Sequence, residues 1–111
     1  ISYNLGVSHM FNPPVPLKYS GSSPVIMKIK DLNLDRYPDI IVLDKSASVV
    51  NVFMNLGSSQ FSQPYSFSVG SGPIAMSIKD INNDGCNDIL TLDEAGETVT
   101  VLLNLLCQQK Q

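Results

Sequence analysis

Apolar residues recur at every second position in short segments, and turn-forming residues separate the segments. Val25, Met27 and Ile29 alternate with Ile26, Lys28 and Lys30, while Ile74, Met76 and Ile78 alternate with Ala75, Ser77 and Lys79. A period of two belongs to a strand with one face turned to a core, so each segment predicts a strand with one apolar face. Residues 39–44 and 88–93 are nearly continuous in apolar residues between two Asp, as expected of strands covered on both faces. Tight turns at 45–48 and 94–97 lead into third strands over 49–55 and 98–104. There Val50, Val52 and Met54, and likewise Val99, Val101 and Leu103, share a side. Tyr65, Phe67 and Val69 alternate with Ser66 and Ser68 to give a fourth strand, ended by Gly70-Ser71-Gly72-Pro73.

These segments are copies. At an offset of 49 residues, 20–55 and 69–104 are identical at 16 of 36 positions, including Ile29-Lys30-Asp31 with Ile78-Lys79-Asp80 and Asn55 with Asn104. Phe11 matches Phe61 at an offset of 50, a one-residue slip before Gly21. Ser2-Tyr3-Asn4-Leu5-Gly6 resembles the third-strand end at Asn55-Leu56-Gly57, and Val15, Leu17 and Tyr19 fit a fourth strand. The expected organisation is one complete unit, 24–69, between the end of a preceding unit, 1–20, and a second unit, 73–106, that lacks its last strand. Four antiparallel strands in about 49 residues fit a β-propeller blade, so the expected fold is all-β. Units that stack only on neighbours leave open faces at both ends, which implies further blades of the same chain or self-association.

Composition narrows the class. The 111 residues are 43% hydrophobic and 15% charged, which suits a packed domain of modest size. A net charge of −3 with scattered Lys and Arg argues against a nucleic-acid partner. No apolar run approaches the roughly 20 residues of a membrane span. Cys86 and Cys107 permit one disulfide, the alternative being two free thiols. The loop after the first strand and the connection after the third both follow strands running the same way, so the two cysteines are expected at the same end of one blade.

The candidate chemistry lies between the first and second strands. Asp80-Ile81-Asn82-Asn83-Asp84-Gly85-Cys86-Asn87-Asp88 sets oxygen-bearing side chains at alternate positions, with a Gly where the backbone must bend. Ca²⁺ takes six to eight oxygens at roughly 2.3 to 2.6 Å, and such a run can gather several around one point. Asp80, Asn82, Asp84 and Asp88 would offer side-chain oxygens and Cys86 its carbonyl. Asp31, Asn33, Asp35, Tyr37 and Asp39 hold the same positions in the earlier copy. Two Ca²⁺ sites are therefore expected, the second stronger. Arg36 stands where the second loop has Gly85, and a non-Gly residue at a positive φ costs on the order of 1 kcal/mol. An EF-hand is excluded because Val42 and Thr91 stand where its acidic twelfth residue belongs.

The pattern of an aromatic strand, a Gly and Pro turn (Val69-Gly70-Ser71-Gly72-Pro73), the Asp80 to Asp88 loop, Ile89-Leu90 and a closing Val101-Leu102-Leu103-Asn104 resembles the FG-GAP and VCBS repeat family of integrin-alpha-like propellers. The first copy departs from the pattern at Arg36 and Pro38. The resemblance implies Ca²⁺ held between the first two strands of a blade. It also implies an extracellular or cell-surface setting and a non-catalytic role in adhesion or recognition of a protein or carbohydrate ligand. The alternative is the scaffold of a carbohydrate-binding or polysaccharide-processing enzyme whose active loops lie elsewhere.

Other polar residues have plainer readings. His9 has no adjacent nucleophile or second ligand and is expected at the surface. Lys30 and Lys79 balance loop charge, and Asp44 and Asp93 are expected in turn or edge roles. No nucleophile motif is present, so no reaction is expected.

Overall fold

The computed structural model describes residues 23–58 and 60–105. Among these there is no helix, and all strand pairs are antiparallel. In the first repeat, β1 (Pro24–Lys30), β2 (Asp39–Asp44), β3 (Val49–Phe53) and β6 (Tyr65–Ser68) form one sheet in the order β1-β2-β3-β6. A short hairpin of β4 (Asn55–Gly57) and β5 (Gln60–Phe61) connects β3 to β6. The second repeat forms a sheet of β7 (Pro73–Lys79), β8 (Asp88–Asp93) and β9 (Thr98–Leu102) in sequence order. The preceding partial unit expected over 1–20, with His9, and the end of the second unit lie outside the described residues.

The 49-residue copy extends to backbone detail. The register shifts between Pro24 and Ile26 in one sheet and between Pro73 and Ala75 in the other. Leu34, Arg36 and Ser48 have positive φ, and so do Asn83, Gly85 and Glu97 at the matching positions. The third strands are shorter than expected, ending at Phe53 and Leu102 in place of Asn55 and Asn104. In each case the Asn amide is diverted to a carboxylate: Asn55 N–H donates to Asp39 and Asn104 N–H to Asp88, both at 2.8 Å.

The register assigns the faces. Ile26, Leu43, Val50, Ile41 and Val52 share one face of the first sheet. Met76, Ile78, Ile89 and Leu102 share one face of the second. These two faces meet in the core, which also takes in Leu32, Met54 and Val69. Since they are not equivalent faces, the repeats stack front to back; the first sheet's outer face exposes Met27 and Ile29 but buries Val42, Asn51 and Phe53, whereas the second sheet's outer face exposes Leu92, Val99 and Val101. That corrects two expectations. Met27 and Ile29 are exposed on the edge strand β1 of the first sheet's outer face, and Val25 is exposed at the register shift between Pro24 and Ile26. Val99, Val101 and Leu103, copies of the core-facing Val50, Val52 and Met54, are exposed on the second repeat. Periodicity finds an apolar face but cannot report whether a neighbour covers it.

Asp44 and Asp93, expected in turn or edge roles, are both fully buried, and Asp44 fills the turn role. Asp44 accepts from the amides of Ser23 and Ala47, so it holds the turn from inside. Asp93 accepts from the hydroxyls of Thr91 at 2.8 Å, Thr98 at 2.9 Å and Thr100 at 2.7 Å. A Cβ on Gly70 would come within 2.6 Å of this carboxylate and 2.5 Å of Thr98 Oγ1, so a side chain there would force the cluster apart.

Candidate metal centre

The strands place the loops. β1 and β2 pair Lys30 with Asp39, and β7 and β8 pair Lys79 with Asp88, so each loop starts and ends at adjacent strand ends. Between them the first Asp of the run folds the chain over itself. Asp80 accepts from the amides of Asp84 at 3.1 Å and Gly85 at 2.8 Å, and Asp84 accepts from Cys86 N–H at 3.0 Å. Asp88 accepts from Ile81 N–H at 3.1 Å. The first loop repeats this bond for bond. Asp31 takes Asp35 N–H and Arg36 N–H, Asp35 takes Tyr37 N–H, and Asp39 takes Leu32 N–H.

In the second loop one oxygen from each of Asp80, Asp84 and Asp88 falls within 4.8 Å of the others. Two unit charges about 5 Å apart repel by roughly 1 kcal/mol in water and roughly 3 to 4 kcal/mol at an effective dielectric of 20. Asp88 is fully buried, so its charge is not screened by direct contact with water. One terminal atom of the Asn82 amide lies 3.0 Å from Asp84, 3.2 Å from Asp80 and 3.3 Å from Asp88. With its NH₂ turned inward, Asn82 donates to all three carboxylates. With its oxygen turned inward, it adds a fourth oxygen to a shell that a hard cation would fill.

The first loop is looser. Asp31, Asp35 and Asp39 do not converge within the same limit. Burial pushes the Asp39 carboxyl above its ordinary value; the amides of Asn55 and Leu32 oppose this, and the charges of Asp35 and Asp31 add to the rise. Asn33, the counterpart of Asn82, has a buried Oδ1 with no hydrogen-bond partner. A buried carbonyl oxygen without a donor, in a loop that carries three carboxylates, is a group that a hard cation would satisfy. The backbone also differs in cost. The left-handed positions are Leu34 and Arg36 in the first loop but Asn83 and Gly85 in the second, residues that tolerate this region.

Of the ten residues expected to serve a metal, the structure thus brings together Asp80, Asn82, Asp84 and Asp88. Tyr37 and Cys86 are held at their loop positions through their amides. Cys86 is fully buried and disulfide-bonded; the chain's other cysteine, Cys107, lies outside the described residues.

A model of the FG-GAP-like repeat matches residues 31–91, a span running from the first loop through most of β8 and covering more than half of the chain. The chain belongs to the FG-GAP-like repeat family. No match was found among curated proteins or among solved structures. Within this FG-GAP-like chain, sequence reasoning missed Asn55, Asn104 and Leu32. Each Asn side chain bonds a carbonyl at the end of its own loop, Pro38 or Asn87, both at 2.9 Å. Their identity at an offset of 49 was the available signal. Leu32 is a loop residue buried in the core between the sheets, whereas its copy Ile81 is exposed.

Proposed function

We propose that this chain is a calcium-stabilised, non-catalytic β-propeller segment of an extracellular adhesion or recognition protein. The observation that carries the reading is the convergence of Asp80, Asp84 and Asp88 on one point faced by the Asn82 amide. A divalent cation there offsets the mutual repulsion of the carboxylates and ties β7 to β8. Propeller architecture is supported by the front-to-back stacking of two copies of one sheet, an arrangement that further copies can extend. An oxidised Cys86 favours a compartment outside the reducing cytosol, where millimolar Ca²⁺ is available. No helix among the described residues is long and apolar enough to cross a membrane.

The outer faces of the two sheets would receive further blades of the same chain or another copy of it. A protein or carbohydrate ligand would be read by the assembled propeller. The turns at 45–48 and 94–97 are short, which favours this reading over the scaffold of an enzyme with long active loops.

Calorimetric titration of the chain with CaCl₂, paired with thermal melts in Ca²⁺ and in chelator, tests the proposal. Binding heat and a melting temperature raised by Ca²⁺ are expected, both reduced by Asp84→Ala. Absence of heat at millimolar Ca²⁺, with coincident melts, would overturn it.

A further inference from the structure

One side chain touches both loops. The NH₂ group of Asn104 has two hydrogens; one goes to Asn87 O at 2.9 Å and the other to Leu32 O at 2.6 Å, across the stack between the repeats. The backbone N–H of the same residue donates to Asp88 Oδ1 at 2.8 Å. Asn104 therefore holds a carboxylate of the second loop, the peptide just before it, and the Leu32–Asn33 peptide of the first loop. That last peptide carries Asn33, whose Oδ1 is the buried, unpartnered oxygen. Leu32 N–H, one residue position back, donates to Asp39 at 2.9 Å. The Leu32 side chain is 4% exposed and sits in the core with Met76 and Ile89 of the second repeat.

We infer that Asn104 couples the two cation loops, so that an ion in the second loop raises the affinity of the first. The inference rests on the calcium reading above. Residues 32 and 33 owe their placement to the second repeat as much as to their own turn. An ion that fixes Asp88 and the Asn87 carbonyl also fixes Asn104. It thereby restricts the Leu32–Asn33 peptide before an ion reaches the first loop, and less ordering remains to oppose binding there. By linkage the effect is reciprocal: an ion in the first loop tightens the second by the same factor.

Terbium, which substitutes for calcium, reads the first loop through Tyr37, which lies within that loop, when every chain compared carries Tyr65→Phe, because Tyr65 lines a cavity with Leu32 and Asn87 of the two loops. The luminescence sensitised by Tyr37 should reach half-saturation at a concentration about fivefold higher in Asp80→Ala than in the parent chain, a factor at the low end of typical coupling. Asn104→Ala should show a similar midpoint, and adding Asp80→Ala to it should shift the midpoint no further. A residue that merely stabilised the fold would leave the Asp80→Ala shift intact in both backgrounds. That result, or a midpoint unmoved by Asp80→Ala, would overturn the coupling while leaving two calcium sites in place. No calcium heat and no terbium signal in the parent chain would overturn the calcium reading and the coupling together. Should Asn104→Ala fail to fold, amide exchange in Asp31→Ala provides the test. Filling the second site there should slow exchange at Asn33 and Leu34, and unchanged exchange would overturn the coupling.

Discussion

Met27 and Met76 occupy the same position in the two repeats, yet Met27 is 62% exposed and Met76 is 5% exposed. Met27 lies on the edge strand β1, on the outer face of the first sheet; Met76 lies on the same face of the second, which the first sheet covers. Removing a buried Met side chain typically costs about 2 to 5 kcal/mol, whereas most surface substitutions stay within about 0.5 kcal/mol. Met76→Ala should therefore lower the urea midpoint of unfolding markedly, and Met27→Ala should leave it almost unchanged. Equal losses would mean that Met27 is covered in solution by another surface.

The repeat makes the loop backbones directly comparable. Arg36 at φ 72° does the work of Gly85 at φ 88°. A Cβ at Gly85 would meet nothing within 4 Å, so the left-handed backbone alone sets the preference there. Arg36→Gly should tighten calcium binding at the first loop, worth on the order of 1 kcal/mol or about fivefold in affinity. Gly85→Ala should weaken the second loop by a similar factor. Titration calorimetry of both variants checks the pair of changes, and an Arg36→Gly chain that binds more weakly would show that Arg36 contributes something other than strain.

Much of this architecture was legible in the sequence. Alternation located β1, β3, β6, β7 and β9, and the internal copy placed both loops between the correct strands. Two physical facts were not. Whether an apolar face is buried depends on what stacks against it, which the alternation of Val99 and Val101 cannot encode. The bonds of Asn104 span 72 residues to Leu32, and no local pattern reports a contact between repeats. The positive φ at Arg36 was readable because Gly85 marks it; that of Leu34 was hidden because its copy, Asn83, is an ordinary loop residue.

Loss of the first carboxylate should be unequal between the loops. Asp80 belongs to the converged group and Asp31 does not. A ligand that binds only the folded state stabilises it by RT ln(1 + [L]/Kd), so the tighter site contributes more at a given Ca²⁺ concentration. Asp80→Ala should erase most of the calcium-dependent rise in melting temperature, and Asp31→Ala a smaller part. The comparison must be made as a difference between calcium and chelator, because each Asp also accepts two backbone amides that any substitution removes.

The Asp93 cluster makes a pH prediction that is independent of metal. Burial pushes the Asp93 carboxyl up, but hydrogen bonds from Thr100, Thr91, Thr98 and the Gly70 amide together outweigh it and hold the group below its ordinary value. A carboxyl depressed in the folded state contributes stability that is present above its unfolded value, near 3.9, and is lost as pH falls through the folded value. Thr91→Val replaces the hydroxyl that donates to Asp93 Oδ1 with a methyl of similar size, at a site 1% exposed. Hydrogen bonds to charged groups are worth about 1.5 to 3 kcal/mol, so a loss of that order is expected at neutral pH. The loss should shrink below about pH 4, because the parent chain gives up the same interaction as Asp93 protonates. Urea melts of the parent chain and Thr91→Val, in chelator from pH 7 to pH 3, measure the gap. A gap that stayed constant across that range would assign the Thr91 hydroxyl to packing and not to the carboxylate.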